Sequence, residues 1–329
     1  MKLAVAGAGA WGTALAVVLS AHHEISLWGR DPRHIAQLRL DRRNDKYLPG
    51  IALPPSLALH DDLASALADV AAVLVVPPTN GFAATLAAIL AQRAGLPVVW
   101  ACKGFETATQ RLPHEIVQAL LPDDVPRGAL SGPSFALEVA QGKPAALTLA
   151  SPDPAFASRF AAQLNGPSLR IYSSGDVVGV ELGGALKNVM AIAAGISDGL
   201  DLGNNARAAL ITRGLAEMVR LGVRMGGDPE TFMGLTGLGD LVLTATGELS
   251  RNRTVGKRLA AGVPLAQILE GLGHVAEGVQ SARAAQQLAQ RFAVSMPITD
   301  AVCAVLFDHA APIDTVRSLL ARDPKPEQN

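Results

Sequence analysis

The feature that most constrains this chain is a glycine triplet, Gly7, Gly9 and Gly12, between an apolar run and a helix-forming run. Lys2–Ala6 has the composition of a buried strand, and residues 13–20 are typical of a helix. In the spacing G-x-G-x-x-G, the first glycine allows a tight turn, the second admits a diphosphate and the third permits close packing of helix on strand. Because the helix start presents free N–H groups and a positive dipole end, the stretch predicts a dinucleotide-binding turn.

Two other interpretations of this stretch compete with the first. Residues 3–21 carry no charge and follow Lys2, so a signal peptide or a membrane span is one alternative. Either would need an unbroken apolar helix, which the glycines interrupt. A glycine turn that binds no ligand is the other.

Composition narrows the classes of protein to which the chain can belong. Lys and Arg number 28 against 29 Asp and Glu, a net charge of −1, so the basic excess of a general nucleic-acid binder is absent. Cys102 and Cys303 are far apart and form no C-x-x-C pair, which favours a reducing compartment. The histidines show no metal-ligand spacing. We therefore expect a cytoplasmic protein without a nucleic-acid partner, a membrane span or a metal.

The order of the predicted elements indicates an α/β fold. Strand-like runs alternate with helical stretches to about residue 175, a pattern typical of a doubly wound parallel sheet. The further strand-like runs are residues 24–28, 70–76, 97–101, 129–130, 145–150 and 169–172. From Asp176 onward the pattern is helical, with turns at residues 226–227, 237–239 and 264. The sequence thus predicts a dinucleotide-binding domain over 1–175, an all-α substrate domain over 176–322 and a disordered tail over 323–329.

The end of the second predicted strand bears on the choice of cofactor. Arg30 closes this strand, where an arginine accommodates the 2′-phosphate of NADP, whereas an acid would bind the ribose of NAD. Asp31 follows at once, so both NADP(H) and NAD(H) stay open, with NADP(H) favoured. Residues 44–55 then read as a proline-rich loop with an exposed Tyr47.

Polar residues in apolar surroundings mark the candidate chemistry. Lys103 and Ser134 follow predicted strand ends, where ligands of such sheets bind. Lys187 and Asn188 interrupt the apolar helix 180–195, in which Gly183 and Gly184 are expected to leave room for a ligand. A lysine there either reaches the surface or serves a site, and a desolvated amine can exchange a proton with a hydroxyl.

A second polar cluster lies further along the chain. Ser250, Arg251 and Asn252 offer a hydroxyl, a guanidinium and an amide, which suit phosphate oxygens. Asp240 follows a glycine-rich turn and could bind a substrate hydroxyl, orient Lys187 or cap a helix.

Taken together, the strings GAGAWGTALA, KYLPGI, CKG, SGPSFA, LGGALKNVMAIAAG, LTGLGDLVLT and LSRNR resemble the bacterial-type NAD(P)-dependent glycerol-3-phosphate dehydrogenases. The resemblance implies an N-terminal Rossmann domain, a helical substrate domain and a cytoplasmic enzyme. That enzyme would interconvert dihydroxyacetone phosphate, a phosphorylated three-carbon substrate, and sn-glycerol 3-phosphate for phospholipid synthesis. The apolar helices also allow a homodimer.

The resemblance further implies a set of site residues, with Lys187 as the proton acceptor. Substrate contacts would come from Lys103, Gly132, Ser134, Lys187, Asp240, Ser250, Arg251 and Asn252. Cofactor contacts would come from Gly7, Gly9, Ala10, Trp11, Gly12, Arg30, Tyr47, Lys103, Ala136, Arg251, Val275 and Glu277. Position 10 is often serine in the family, so Ala10 loses a hydroxyl contact and keeps only its backbone N–H.

Two other functions remain open at this point. A related hydroxy-acid or ketopantoate-type dehydrogenase would share the glycine triplet but would not need Ser250, Arg251 and Asn252 for a phosphate. A non-catalytic NADP-binding sensor would gain nothing from Lys187 inside an apolar helix.

Overall fold

A computed structural model describes residues 1–272 and 276–322 of the chain. Its contacts divide the chain into two compact units. The first unit comprises Met1–Gly184 and Gly227–Asp240, and the second comprises the described residues of 185–226 and 241–329. The predicted tail, residues 323–329, lies outside the described residues.

The first unit is built on a mostly parallel sheet of eight strands. The strands in chain order are β1 (Lys2–Ala6), β2 (Glu24–Trp28), β3 (Arg43–Asn44), β4 (Leu48–Ala52), β5 (Ala58–His60), β6 (Ala72–Val75), β7 (Val98–Trp100), β8 (Arg127–Ser131), β9 (Ala145–Ala150) and β10 (Leu169–Ser174). The order across the sheet is β10-β9-β8-β7-β6-β1-β2-β5, while β3 and β4 form a separate antiparallel pair. The predicted α/β class with a Rossmann-like sheet is confirmed.

One pair of neighbours in the sheet departs from the predicted parallel arrangement. β8 and β9 are antiparallel, with Ala129 opposite Ala150. The connection from β8 to β9, which contains the short helix α6 (Ala136–Ala140), starts and finishes at the same end of these two strands, so no crossover is needed. Strand composition alone does not encode this direction, because both strands are buried apolar runs.

The helices, in chain order, are α1 (Ala10–Leu19), α2 (Pro32–Asp41), α3 (Leu63–Ala66), α4 (Phe82–Gln92), α5 (Pro113–Leu120), α6 (Ala136–Ala140), α7 (Pro154–Leu164), α8 (Val177–Gly199), α9 (Gly203–Arg224), α10 (Pro229–Met233), α11 (Asp240–Thr246), α12 (Arg251–Ala260), α13 (Leu265–Leu272), α14 (Glu277–Arg291), α15 (Pro297–Phe307) and α16 (Pro312–Leu320). Residues 3–21 form a strand, a turn and a helix, so the single apolar helix of a signal peptide or membrane span is excluded for them.

Alternate residues of β1 pack into two separate clusters. Leu3 and Val5 belong to one cluster with Leu27, whereas Ala4 and Ala6 belong to the other. Because successive side chains of a strand point to opposite faces, the sheet is covered by apolar packing on both sides. This burial explains why the strand is an uninterrupted apolar run rather than an alternating one.

Two sequence predictions of irregular structure are wrong. The expected loop over residues 44–55 contains the short β3–β4 pair, and Tyr47 is half-buried, with its ring 5.2 Å from that of His34. The expected turn at residues 237–239 lies within a π-helical turn, Leu235–Gly239. A Cβ at Gly237 would lie 2.0 Å from the carbonyl oxygen of Phe232, so this glycine serves close packing.

One described helix is long and apolar enough, by length and composition, to cross a membrane. It is α8, and 89% of its most apolar window is buried inside the protein. Core helices of soluble proteins meet the same criterion.

In the second unit, a buried carboxylate caps a neighbouring helix. Glu217 of α9 is 1% exposed and accepts hydrogen bonds from the backbone N–H groups of Ile298 (2.6 Å) and Thr299 (3.1 Å). The Thr299 hydroxyl donates a third bond at 3.1 Å. The N-cap residue of α15 makes no side-chain hydrogen bond to this helix. Glu217, which lies on another helix, therefore accepts the hydrogen bonds of the N–H groups in the first turn of α15.

This buried carboxyl predicts a pH-dependent stability. Burial raises the pKa of Glu217 from 4.5 to about 7, against the hydrogen bonds from Ile298 and Thr299, which lower it. The folded protein therefore holds a proton that the unfolded chain releases, so stability falls as the pH rises from 4.5 to about 7 and levels off above. The Glu217→Gln variant should lack this pH dependence. The free energy of unfolding in urea of wild type, relative to that of the variant, should therefore fall by roughly 3 kcal/mol across that pH range.

The exposed Glu270 provides the control, since Glu270→Gln should keep the wild-type pH profile. A stability difference between wild type and Glu217→Gln that stays constant with pH would contradict the prediction.

Candidate functional site

The glycine loop, residues 7–12, has the geometry that its spacing predicts. Gly7 has a φ of +137°, and a Cβ there would lie 2.7 Å from the carbonyl oxygen of Val76. A Cβ on Gly12 would lie 1.9 Å from the carbonyl oxygen of Gly7, so only glycine allows α1 to start this close to the end of β1. A Cβ on Gly9 would meet nothing within 4 Å. The loop is thus packed against backbone atoms at Gly7 and Gly12 and has open space beside Gly9.

The open side of the loop suits a diphosphate. Gly9 is the N-cap of α1 and makes no side-chain cap, so the N–H groups of Ala10 and Trp11 face the start of the helix as donors. The Trp11 indole Nε1 is buried and has no hydrogen-bond partner among the described residues. Backbone donors at a helix N-terminus, next to the open space at Gly9, fit the anionic part of a dinucleotide.

A residue that sequence reasoning missed holds the glycine loop in place. Asn44, which is 1% exposed, donates from Nδ2 to the carbonyl oxygen of Ala8 (3.1 Å) and to the Thr13 hydroxyl (2.7 Å). It lies in a polar stretch that reads as loop, so its long-range role leaves no local pattern. Asn44 therefore ties the separate β3–β4 pair to the loop and to the first turn of α1.

The two charged residues that follow β2, Arg30 and Asp31, have different roles. Asp31 is the N-cap of α2, and its carboxylate accepts a hydrogen bond from the N–H of Arg33 at 3.0 Å. Arg30 is exposed and has no hydrogen-bond or ion-pair partner within residues 1–272 and 276–322. The Asp31 carboxylate thus bonds the first turn of its own helix, whereas the guanidinium of Arg30 is exposed and makes no such bond.

Four predicted residues of the first unit come together at the ends of β7 and β8. Lys103 donates from Nζ to the carboxylate of Asp240 (2.8 Å) and to the carbonyl oxygen of Gly132 (2.9 Å). The Ser134 hydroxyl donates to the same Gly132 oxygen at 3.0 Å. The side chains of Lys103 and Asp240 are 13% and 1% exposed, so this is a buried ion pair. Because Asp240 itself has helical backbone angles and is the first residue of α11, its interpretation as the N-cap of a helix is wrong.

The expected role of Gly183 and Gly184 is also wrong, since neither leaves room for a ligand. A Cβ on Gly183 would lie 2.5 Å from the carbonyl oxygen of Thr236, and one on Gly184 would lie 2.8 Å from the Ser131 hydroxyl. Both glycines instead allow the first half of α8 to pack closely against the segment that leads to Asp240 and against the end of β8.

A buried polar network that the sequence did not indicate anchors the same half of α8. Glu181 accepts hydrogen bonds from the Trp100 indole N–H (2.6 Å) and from the backbone N–H of His114 (2.9 Å), and His114 Nδ1 bonds its second oxygen. Burial raises the pKa of Glu181, against these hydrogen bonds. Burial also lowers the pKa of His114, but the hydrogen bond and charge of Glu181 outweigh it and leave that pKa raised. Trp100 is the last residue of β7, so the network fixes the strand end that precedes Lys103.

In the second unit, Lys187 lies beside a ladder of amide hydrogen bonds. Lys187 is 7% exposed, so the sequence alternative of a lysine that reaches the surface is wrong. Its neighbour Asn188 accepts a hydrogen bond from Asn252 Nδ2 at 2.9 Å, and Asn252 Oδ1 accepts one from the N–H of Gly278 at 3.1 Å. This ladder connects α8, α12 and α14 at the position of the lysine.

The remaining predicted residues of this unit differ in exposure. Ser250 is 3% exposed and caps α12 by accepting a hydrogen bond from the N–H of Arg253 (3.2 Å). Arg251, the first residue of α12, is exposed, whereas Asn252 is buried. Glu277 starts α14 and is half-buried, and the predicted cofactor residue Val275 lies outside the described residues. In the first unit, Ala136 starts α6 and is half-buried.

Residues 1–272 and 276–322 contain no group of three or more His, Cys, Asp or Glu side chains that could hold a metal ion.

The geometry of the glycine loop yields a paired prediction. Gly12→Ala should lower the free energy of unfolding by about 1–3 kcal/mol, because its methyl group would overlap the Gly7 carbonyl. Gly9→Ala should leave stability within about 0.5 kcal/mol, because the site is open and its φ of −79° suits alanine. Its methyl group would still fill space on the ligand side, so binding of NADPH should weaken by about tenfold or more. Thermal unfolding and a fluorescence titration measure the two effects, and equal stability losses in both variants would contradict the assignment.

Comparison with known proteins agrees with this architecture over nearly the whole chain. Family profiles described as the N-terminus and the C-terminus of NAD-dependent glycerol-3-phosphate dehydrogenase match residues 2–157 and 176–317. A glycerol-3-phosphate dehydrogenase (NAD(P)+) of Thiobacillus denitrificans is 58% identical over 327 residues, 99% of this chain and 100% of the relative. A protein of the same name from Nitrosomonas eutropha is 54% identical over 99% of both chains. The crystal structure of a glycerol-3-phosphate dehydrogenase from Coxiella burnetii superposes with a TM-score of 0.93 at 41% identity, covering 98% of this chain and 99% of that one. The chain therefore belongs to the NAD-dependent glycerol-3-phosphate dehydrogenase family.

Proposed function

We propose that this chain interconverts dihydroxyacetone phosphate and sn-glycerol 3-phosphate with NADP(H) or NAD(H). The observation that carries the proposal is Lys187, a lysine only 7% exposed within a long apolar helix of a chain that belongs to this family. Burying an amine is costly, so a lysine at such a position is expected to have a task. Proton exchange with the oxygen at C2 of the substrate is a task that an amine can perform.

The cofactor site is proposed to centre on the glycine loop. Its open side at Gly9 and the helix-start N–H groups would hold the diphosphate, while Gly7 and Gly12 keep the backbone in place. Arg30 would bind the 2′-phosphate of NADP, since Asp31 is already used as a helix cap. Further contacts are proposed for Tyr47, Lys103, Ala136, Arg251 and Glu277. When bound, the cofactor supplies the hydride that turns the C2 ketone into a secondary alcohol.

Lys103 is proposed to bind substrate as a fixed positive charge. Its ammonium group is directed by Asp240 and by the Gly132 carbonyl, so its position is set before substrate arrives. A preorganised charge costs little reorganisation when negative charge develops on the substrate. Ser134, on the same Gly132 oxygen, would add a hydroxyl contact.

Lys187 is proposed as the proton donor in reduction and the proton acceptor in oxidation. As an ammonium ion it would stabilise and protonate the oxygen at C2, and as a neutral amine it would remove that proton. The Asn188–Asn252 hydrogen bond joins α8 to α12 at the residue next to Lys187, and so fixes the backbone position from which the lysine side chain extends.

The substrate phosphate is proposed to bind at the start of α12. Arg251 is exposed there, and the N–H groups of the first helical turn add a positive potential. A guanidinium can hold two phosphate oxygens at once, which gives both affinity and orientation. Ser250 and Asn252 would complete this contact.

The cellular setting is part of the same proposal. Glycerol 3-phosphate would serve phospholipid synthesis, and the enzyme would act in the cytoplasm. Both cysteines are buried and neither forms a disulfide bond, which agrees with a reducing compartment.

The proposal is tested by following the absorbance of NADPH or NADH with three substrates. With dihydroxyacetone phosphate, kcat/KM should exceed that with unphosphorylated dihydroxyacetone by about a hundredfold or more, because a charged phosphate contact is lost. Faster turnover of ketopantoate would favour the related dehydrogenase instead. Cofactor binding without turnover of any of the three would favour a sensor.

Replacement of the proposed proton-transfer residue should abolish most turnover. Lys187→Met keeps much of the side-chain volume in the apolar helix but removes the amine. We expect kcat to fall by about 10²–10⁴-fold while NADPH affinity stays near that of wild type. Lys143→Met, at an exposed lysine, is the control and should be fully active. A Lys187→Met enzyme that retains more than about a tenth of wild-type kcat would refute the assignment.

Replacement of Arg251 should separate phosphate recognition from proton transfer. In Arg251→Ala, kcat/KM for dihydroxyacetone phosphate should fall by about 10–150-fold, mainly through KM, because the contact exists before and during the reaction. Activity with unphosphorylated dihydroxyacetone should barely change. NADPH must be kept saturating, since a cofactor contact is also proposed for this residue.

The control is Arg258→Ala, which removes a second exposed arginine of the same helix. Equal losses with the two substrates would show that Arg251 does not bind the phosphate.

A further inference from the structure

The second unit contains a cavity that the proposed reaction does not use. It has a volume of about 980 Å³, at the upper end of the roughly 300–1,000 Å³ typical of small-molecule sites. Its walls come from the second half of α8 and from α9, α15 and α16. None of the described residues assigned above to substrate or cofactor lines it.

The walls of this cavity are mainly aliphatic. Small residues such as Ala206 and Ala209 on α9 line the cavity together with larger ones such as Val316 and Leu319 on α16. Helix α16 has no fully buried residue, and Leu320 near its end is 81% exposed although it lines the cavity. Apolar surface of this extent gains free energy when a hydrocarbon chain covers it.

A polar group inside the cavity lacks a partner. Ser197 on α8 is 3% exposed, and its hydroxyl has no hydrogen-bond partner in the described part of the chain. A buried hydroxyl without a partner is unfavourable, and most such groups in proteins are satisfied. This hydroxyl is therefore a position at which a ligand oxygen would be stabilised.

The charged groups of the lining are predominantly cationic. Three arginines, Arg213, Arg220 and Arg322, line the cavity together with a single carboxyl, Glu217. The Glu217 oxygens already accept bonds from the first turn of α15. Arg220 is held by the carbonyl oxygen of Ser295 through its Nε (3.3 Å) and one terminal nitrogen (3.1 Å). The lining thus combines an aliphatic surface with an excess of positive charge.

We propose that this cavity binds a single-chain anionic amphiphile, with its hydrocarbon chain between α9 and α16 and its phosphate or carboxylate head group at the arginines. An apolar ligand alone would not use the guanidinium groups, and a small anion alone would leave the aliphatic walls exposed. This site is separate from the residues of the proposed reaction, so it stands or falls independently of that function.

Binding is measured by isothermal titration calorimetry with monododecyl phosphate below its critical micelle concentration. Wild type should bind one molecule per chain, and the uncharged dodecyl maltoside should bind at least about tenfold more weakly. Equal binding of the charged and uncharged probes would overturn the proposal.

Two variants with matched controls locate the probe. Ala209→Trp fills the cavity from an exposed lining position and should weaken binding by at least about tenfold. Ala208→Trp, at the exposed neighbour that does not line the cavity, should bind like wild type. Arg213→Gln should weaken binding of the phosphate probe by about tenfold and leave dodecyl maltoside unaffected, whereas Arg224→Gln, outside the lining, should change neither.

Thermal unfolding of each variant shows that it is folded, and light scattering reports its oligomeric state. Identical binding by Ala209→Trp and Ala208→Trp would place the probe elsewhere and overturn the proposal. A wild-type dimer that binds no probe and is dissociated by Ala209→Trp would also overturn it, because the cavity would then be a contact between copies of the chain.

Discussion

The buried ion pair between Lys103 and Asp240 is the interaction on which the functional end of the first unit depends. The two residues are separated by 137 positions in the sequence, and the pair brings the segment Gly227–Asp240 back to the end of β7. Removing one partner of such a pair leaves an uncompensated charge, which typically costs about 3–5 kcal/mol. The same lysine also bonds the Gly132 carbonyl, so one ammonium group holds both the loop after β8 and the start of α11. A residue proposed to bind substrate is therefore also a structural element of its own unit.

The second unit positions its lysine by different means. A Cβ on Gly195 would lie 2.0 Å from the carbonyl oxygen of Arg253, and one on Gly256 would lie 2.1 Å from that of Ile192. Helices α8 and α12 thus touch backbone to backbone, and the Asn188–Asn252 bond lies at this crossing. Small residues that allow close approach and amides that specify register together fix the helix that carries Lys187.

Local sequence patterns predicted much of this architecture and few of its long-range contacts. The bounds of β1, β2 and β9 agree with the predictions, because β1 and β9 are largely apolar runs and β2 alternates between polar and apolar residues. The three-residue strand β5 and the two-residue β3 are too short to give a periodic signal. The clusters around Lys103 and Glu181 depend on residues far apart in the chain, which composition and periodicity do not report. Motif spacing and family resemblance predict the site residues themselves. The residues that hold them in place through long-range hydrogen bonds, such as Asn44 and Trp100, have no such signal in the sequence.

The π-helical turn ahead of Asp240 makes the length of this segment as important as its composition. The N–H of Gly239 bonds the carbonyl oxygen of Gly234 at 3.0 Å, five residues back instead of four, so the turn holds one residue more than an α-helix would. Each residue of an α-helix advances the side-chain direction by about 100°. Loss of a single residue between positions 235 and 239 would therefore turn the Asp240 carboxylate by more than a quarter of a circle away from Lys103. Related sequences are expected to tolerate exchanges of side chains in this segment far better than any insertion or deletion.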